Sequence, residues 1–148
     1  MKKLIVMLAL FLLVYHFTTY AQLRKLPAVV TESFSKKFPT AHNVTWRDKI
    51  SIFSATFEQD GKAMVAKFNS DGSWVATEEK LALVDIPAAI RDGLSKSVYA
   101  EWALKEAVLV QEPEQENYYR LTVKESTFNK KYLRFNINGR LVKETRML

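Results

Sequence analysis

The residue types needed for nucleophilic or acid–base chemistry are scarce in this chain. It has no cysteine and only two histidines, His16 and His42, so a thiol nucleophile is excluded and an imidazole base is restricted to two positions. His42 lies in a polar connector between a predicted helix and a predicted strand, where an ordinary solvated histidine is expected. The usual histidine and cysteine ligands of zinc are too few to form a site. These observations predict a protein that is not an enzyme.

Carboxylates are the remaining groups that could do chemistry. Glu112, Glu114 and Glu116 alternate, so an extended backbone would direct all three to one side, and a hard cation such as calcium prefers several oxygen ligands. Pro113 and the position between two predicted strands are instead typical of an acidic, solvated turn. The glycine patterns of nucleotide-binding loops are absent. We therefore predict no catalytic residue, no metal ligand and no cofactor, with an enzyme that uses carboxylates alone as an alternative.

Aromatic side chains give the stronger indication of a functional surface. Most are expected to pack in the core, but a sheet covered by helices on one side has a second face. Adjacent Tyr118 and Tyr119 must point to opposite faces, and the same holds for Trp74 and Val75. Aromatic rings with arginines at their rim have the composition of a protein-binding surface. The predicted protein-binding face consists of Trp46, Trp74, Tyr118, Tyr132, Arg120 and Arg134.

Two groups of residues occur twice along the chain. The sequence LPAVV at 26–30 returns as IPAAI at 86–90, and FNSDG at 68–72 returns as FNING at 135–139. The offset grows from 60 to 67 positions, so the second copy has extra residues, which we place at 111–117. An internal repeat indicates two copies of one structural unit.

Each copy predicts one helix followed by about four strands. Apolar residues recur at every fourth position from Leu26 to Phe38 and again from Ile86 to Val98, as in an amphipathic helix, and Asp85 is a candidate N-cap. The period then changes to two, with Asp-Gly or Asn-Gly pairs at tight turns.

The predicted fold class is therefore α+β. Tandem duplicated units, each a helix plus a four-stranded antiparallel meander, form one two-layer domain with both helices on the same side of the sheet. The repeats are expected at 26–80 and 86–147, within a single domain at 22–148.

The first 21 residues have the composition of a secretory signal peptide: a short basic start, an apolar run and a small-residue end, with cleavage after Ala21. Cleavage would remove His16 and leave His42 as the only possible imidazole base. The alternative is a membrane anchor, but the apolar run is shorter than the roughly 20 residues that span a bilayer. We expect a periplasmic or secreted protein without a stable membrane anchor after cleavage.

The charge pattern argues against nucleic acid as a partner, and the lack of cysteine excludes disulfides as a source of stability. The net charge is +6, and basic residues are interspersed with acidic ones, so nucleic acid is not an expected partner. Because the exported chain has no cysteine, no disulfide can form and the core must hold by packing alone.

These features resemble the PepSY-like proteins of exported bacterial proteomes, a family related in fold to the secreted β-lactamase inhibitor protein. The resemblance covers 26–147 and rests on the Leu-Pro and Ile-Pro helix starts, the Phe-Asn-x-x-Gly hairpins, and FPTA at 38–41 followed by VTW at 44–46. It implies a saddle of two helix-plus-sheet units, an exported location and a role in binding or inhibiting other proteins. The disulfides of the inhibitor have no counterpart in this chain.

The sequence thus predicts an exported, non-enzymatic binding module. It would bind or inhibit a protein or peptide in the cell envelope through the open face of its sheet. The alternative is a sensor or scavenger of a small ligand or cation in the periplasm, using a cleft between the two units.

Overall fold

The computed structural model describes residues 25–147, so the predicted signal peptide at 1–21 lies outside the described residues. Within that range a single antiparallel sheet has eight strands whose order in the sheet is their order in the chain. The elements are α1 (Ala28–Lys37), β1 (His42–Lys49), β2 (Ile52–Gln59), β3 (Lys62–Asn69), β4 (Trp74–Leu81), α2 (Ala88–Ser95), β5 (Ala103–Gln111), β6 (Tyr118–Lys124), β7 (Lys130–Asn136) and β8 (Leu141–Arg146).

Both helices begin directly after a proline. Pro27 precedes α1 and Pro87 precedes α2, and neither N-terminus has a side-chain cap. The prediction that Asp85 caps α2 is wrong, because Asp85 ends a 3-10 turn two residues before the proline. The fixed φ of proline is already suited to a helix start, which reduces the need for a capping side chain.

The two helices end differently. The first helix, α1, ends at Lys37, just before Phe38-Pro39, and the Phe38 N–H donates to the Phe34 carbonyl at 2.8 Å. The second helix ends earlier than predicted, at Ser95. Hydroxyls of Ser95 and Ser97 donate to carbonyls three residues back, at 2.8 and 2.7 Å, and such bonds compete with helical ones. Val98 consequently lies beyond the helix and is exposed.

Both helices cover the same face of the sheet. Strand register places apolar residues of neighbouring strands opposite each other on that face, such as Ala55 with Ala66 and Leu121 with Leu133. The residues buried around α1 are Val30, Phe34, Phe38, Phe53, Ala55, Phe57, Ala66 and Phe68. Those around α2 are Ile86, Ile90, Tyr99, Ala107, Leu121, Val123, Leu133 and Phe135. Two apolar cores therefore lie side by side under one continuous sheet.

The repeated Phe-Asn-x-x-Gly segments are hairpin turns that pack beneath the helices. Gly72 has φ +84° and Gly139 has φ +82°, a region that favours glycine. A Cβ added to Gly139 would lie 2.1 Å from the Ala89 carbonyl oxygen, and one added to Gly72 would lie 2.8 Å from the Val29 side chain. The glycine of the motif therefore allows the turn to pack closely against the helix.

The extra residues of the second half are divided between two connections. Residues 112–117 join β5 to β6, and 125–129 join β6 to β7, whereas the corresponding connections of the first half are 50–51 and 60–61. The prediction that all of the extra residues lie at 111–117 is therefore only partly right.

Candidate functional site

The sheet face opposite the helices has a central charged cluster. Glu78 of β4 accepts two hydrogen bonds from the Arg120 guanidinium, at 3.0 and 2.8 Å, and one from the Lys67 ammonium at 2.5 Å. Burial raises the pKa of Glu78, but the hydrogen bonds and charges of Arg120 and Lys67 outweigh it and hold the pKa below its usual range. Strand register pairs these three side chains with open-face residues that are buried without any helix above them, namely Ala76, Val108 and Val110.

Two tyrosines lie beside this cluster, each against an arginine. The Arg134 guanidinium carbon is 3.6 Å from the centre of the Tyr118 ring, and that of Arg120 is 5.3 Å from the centre of the Tyr132 ring, both within cation–π range. The Tyr118 hydroxyl donates to the Glu112 carboxylate at 3.0 Å. Burial and this carboxylate raise the pKa of Tyr118, so the phenol stays neutral. Four of the six predicted side chains thus form one ordered cluster.

A shallow groove runs along this cluster. It has a volume of about 180 Å³ and is lined by Tyr118, Arg120, Tyr132, Arg134, Lys143 and Thr145. We call it the tyrosine–arginine groove. Its size suits one or two side chains of a partner.

The two tryptophans in the predicted face lie on the other side of the sheet. Trp46 pairs with Ala55 of the helix-covered face and packs against Phe34, with ring centres 5.2 Å apart. Trp74 packs against the α1 core, and its Nε1 donates to the Thr77 hydroxyl at 3.0 Å. The centre of its ring is 3.6 Å from the Lys37 ammonium. The prediction that all six residues share the open face is therefore wrong for Trp46 and Trp74.

A β-bulge explains the position of Trp74. Register runs from Lys67 opposite Ala76 to Phe68 opposite Trp74, so Val75 is an extra residue in β4. A bulge breaks the strict alternation of faces along a strand. Sequence alternation alone could not locate it.

The open face is strongly cationic. Strand register places nine Lys or Arg but only three Glu on it. They are Arg47, Lys49, Lys67, Lys80, Arg120, Lys124, Lys130, Arg134 and Lys143, with Glu58, Glu78 and Glu106. Lys2, Lys3 and Arg24 lie outside the described residues, so the described part of the chain carries +3 of the total +6. This face is therefore +6, and the other described residues together are −3.

Sequence reasoning missed Glu78 and Lys143. Glu78 is one of two adjacent glutamates in β4, and only strand register shows that it, and not Glu79, meets Arg120. Lys143 lies on the strand after the Asn-Gly turn, opposite Arg134. Its place in the groove depends on a second bulge, between Arg134 and Phe135.

A separate polar cluster closes the α2 core on the helix-covered face. The Lys131 ammonium donates to the Tyr99 hydroxyl at 2.8 Å and pairs with Glu144 at 3.0 Å, and Tyr99 donates to the same carboxylate. The hydrogen bonds from Tyr99 and Lys131 lower the pKa of Glu144. Because Tyr99 is buried and packs against Trp102, this cluster has a structural role.

The other residues considered for chemistry are His42 and the acidic turn after β5. His42 is exposed, begins β1 instead of lying in a connector, and its Nε2 is 3.5 Å from the Glu58 carboxylate. Glu112 is bound by Tyr118, and Glu114 has φ +57°, so the acidic turn is not extended. Residues 25–147 contain no group of three or more His, Asp or Glu placed to hold a metal ion.

No family model and no curated protein matches this chain. In residues 25–147 there is no helix of sufficient length and apolarity to cross a membrane.

Several solved structures share the fold. A DUF2874 family protein from Bacteroides ovatus superposes with a TM-score of 0.76 at 24% identity, covering 82% of this chain and 88% of that chain. A BLIP-like protein from Bacteroides fragilis gives 0.74 at 24% identity, with 82% and 86% covered. A protein from Bacteroides eggerthii, provisionally called periplasmic, gives 0.73 at 22% identity, with 82% and 89% covered. At these identities the likeness shows the fold alone, which is the BLIP-like α+β fold.

Proposed function

We propose that this protein is an exported, non-enzymatic binding module that docks a protein or peptide of the cell envelope on the open face of its sheet. The observation that carries the proposal is the tyrosine–arginine groove. Tyrosine and arginine, together with tryptophan, are enriched among the residues that dominate binding energy. Here their side chains are already held by Glu78, Glu112 and one another, which reduces the entropy lost on binding.

The structural neighbours support the mode of action and the location. One is called BLIP-like and another is provisionally called periplasmic. We propose that the mature protein, from residue 22, lies in the periplasm or outside the cell, where inhibition of an envelope enzyme is one version of its binding role.

We also propose that the domain is a tandem duplication of a PepSY-like unit. Its support is the order of elements, one helix followed by four strands in each half. Equivalent glycine turns also pack beneath equivalent helices, and β3–β4 and β7–β8 have bulges at matching positions.

Capture of partners from envelope extract tests the binding proposal. Immobilised 22–148 should retain proteins that a Tyr118→Ser/Tyr132→Ser variant does not. Captured proteins are identified by mass spectrometry, purified and titrated against both forms. We expect dissociation constants weakened about 30-fold or more, the effect of losing a dominant binding residue.

Phe128→Ser is the matched control, since Phe128 is an exposed aromatic in the β6–β7 connection. This variant should bind as the unmodified protein does. Equal capture by all three forms, or capture by none, would show that the groove is not a protein-binding surface.

A further inference from the structure

Three cations lie directly opposite one another across β6, β7 and β8. Arg120 is paired with Arg134, and Arg134 with Lys143, on the open face. Neighbouring strands are about 4.8 Å apart, and like charges directly opposite each other destabilise a sheet. We call these three residues the cationic row.

Only one end of the cationic row is neutralised within the described part of the chain. Arg120 is held by Glu78 in a two-pronged ion pair. Arg134 instead donates to the neutral amide oxygen of Gln115, at 3.3 Å. Lys143 has no ion pair among residues 25–147. Two adjacent cations therefore face the groove without a carboxylate.

Glu116 lines an adjoining pocket together with Arg134 and Lys143, but it forms no ion pair with either of them. Two other acidic side chains bind hydroxyl groups. Glu112 accepts the Tyr118 hydroxyl at 3.0 Å, and Glu106 lies 3.5 Å from the Thr122 hydroxyl. Among residues 25–147, no carboxylate forms an ion pair with Arg134 or Lys143, so both cations are available to an acidic partner.

We propose that Arg134 and Lys143 bind the side-chain carboxylates of an acidic segment in the protein partner. This inference rests on the proposed function and specifies the chemistry of the partner. The planar fork of an arginine matches a carboxylate, and the Arg120–Glu78 pair shows that geometry one strand away. Two carboxylates about 5–7 Å apart, as in an extended segment with acidic residues two positions apart, would span Arg134 and Lys143.

The composition of the groove favours a polypeptide over a sulfated polymer or a lipid surface. The rings of Tyr118 and Tyr132 form part of its lining and offer apolar contact to the stems and neighbours of acidic side chains. Lys67 and Arg120 are drawn onto Glu78, so they are not free to reach a flat anionic surface. The asymmetry of charge between the two faces would orient an acidic partner during encounter.

Titration with defined polyanions tests this inference. The probes are fluorescent poly-L-glutamate, heparin, and vesicles containing phosphatidylglycerol, each added to 22–148 and to an Arg134→Gln/Lys143→Gln variant. We expect poly-L-glutamate to bind the unmodified protein more tightly than heparin or vesicles do. The double variant should lose at least tenfold in affinity for poly-L-glutamate, and added salt should weaken binding to the unmodified protein.

The control variant Lys25→Gln/Lys36→Gln removes the same charge from exposed positions at and before α1 and should keep the affinity. Melting temperatures of both variants should stay within about 3 °C of that of the unmodified protein. This result would exclude unfolding as the cause of weaker binding. Absence of poly-L-glutamate binding, equal losses in both variants, or preferred binding of heparin or vesicles would each overturn the inference.

Envelope capture separates this inference from the proposed function. If Tyr118→Ser/Tyr132→Ser loses the captured proteins while Arg134→Gln/Lys143→Gln retains them with unchanged affinity, the groove binds proteins but not through these cations. If neither variant loses them, the proposed function itself fails.

Discussion

Glu78 organises the open face at the scale of single residues. Its carboxylate links β3 to β6 by holding Lys67 and Arg120 at once, and its side chain is 15% exposed. Removing one partner of such an ion pair leaves the remaining charges poorly compensated. Glu78 therefore contributes both to stability and to the shape of the groove.

Replacing Glu78 by glutamine should lower the free energy of unfolding at pH 7 by about 1–3 kcal/mol, the range for a lost charged hydrogen bond. Because folding lowers the pKa of Glu78, its stabilising contribution is complete above the ordinary value of 4.5 and is lost as pH falls through the lower folded value. Urea unfolding at pH 7 and at pH 3 should show the difference between variant and unmodified protein shrinking in acid.

Glu116→Gln, in the exposed β5–β6 connection, serves as the control and should change stability by less than about 0.5 kcal/mol. An identical effect of Glu78→Gln at both pH values would contradict the assigned pKa direction.

Alternation along strands identified some site residues from sequence and misplaced others. It correctly separated Tyr118 from Tyr119, because β6 is regular through that segment. It failed at Trp74, where a bulge shifts the alternation. It could not decide Trp46, because β1 is an edge strand whose residues are mostly exposed on both faces.

At the scale of elements, the helices are fixed by contact with glycine turns. Gly93 of α2 meets the Gly139 backbone so closely that an added Cβ would lie 1.9 Å from the Gly139 carbonyl oxygen. The corresponding turn of the first half packs against Val29 and Ser33 of α1. Periodicity predicted these elements and their order, but the early end of α2 follows from local serine hydrogen bonds that periodicity does not register.

Gly139→Ala should cost more stability than Gly61→Ala. Both glycines have positive φ, at +82° and +73°, so both substitutions carry backbone strain of about 1–2 kcal/mol. Only at Gly139 does the new methyl group clash with α2, whereas nothing lies within 4 Å of a Cβ at Gly61. We expect a further loss of about 1–3 kcal/mol at Gly139 from the forced repacking, measured by chemical denaturation. Equal losses of stability in Gly139→Ala and Gly61→Ala would show that the contact between this turn and α2 does not contribute to stability.

At the scale of the whole molecule, two apolar cores share one sheet. The β4–β5 ladder joins the halves from Thr77 opposite Gln111 to Leu81 opposite Ala107. Sequence repeats predicted two halves that share one sheet, and the single eight-stranded sheet agrees with that prediction. They did not predict the register between β4 and β5, which no local pattern encodes.

Because the β4–β5 ladder joins the two halves of the sheet, we expect the two halves to unfold together. Leu133→Ala, in the α2 core, should cost about 2–5 kcal/mol. In a Trp102→Phe background the two remaining tryptophans, Trp46 and Trp74, report only on the α1 core. Leu133→Ala should shift the unfolding midpoint measured by tryptophan fluorescence as far as the unfolding midpoint measured by far-UV circular dichroism. A fluorescence midpoint that does not move would mean that the halves unfold separately.

The order of the strands in the sheet, which is their order in the chain, also affects how the protein folds. Every ladder joins consecutive strands, and the widest separation, between β4 and β5, spans only α2 and its flanking turns. Closing short loops costs little entropy, and low contact order accelerates folding. A nucleus can therefore form in either half without waiting for distant segments. With no cysteine in the chain, no step of disulfide rearrangement delays completion.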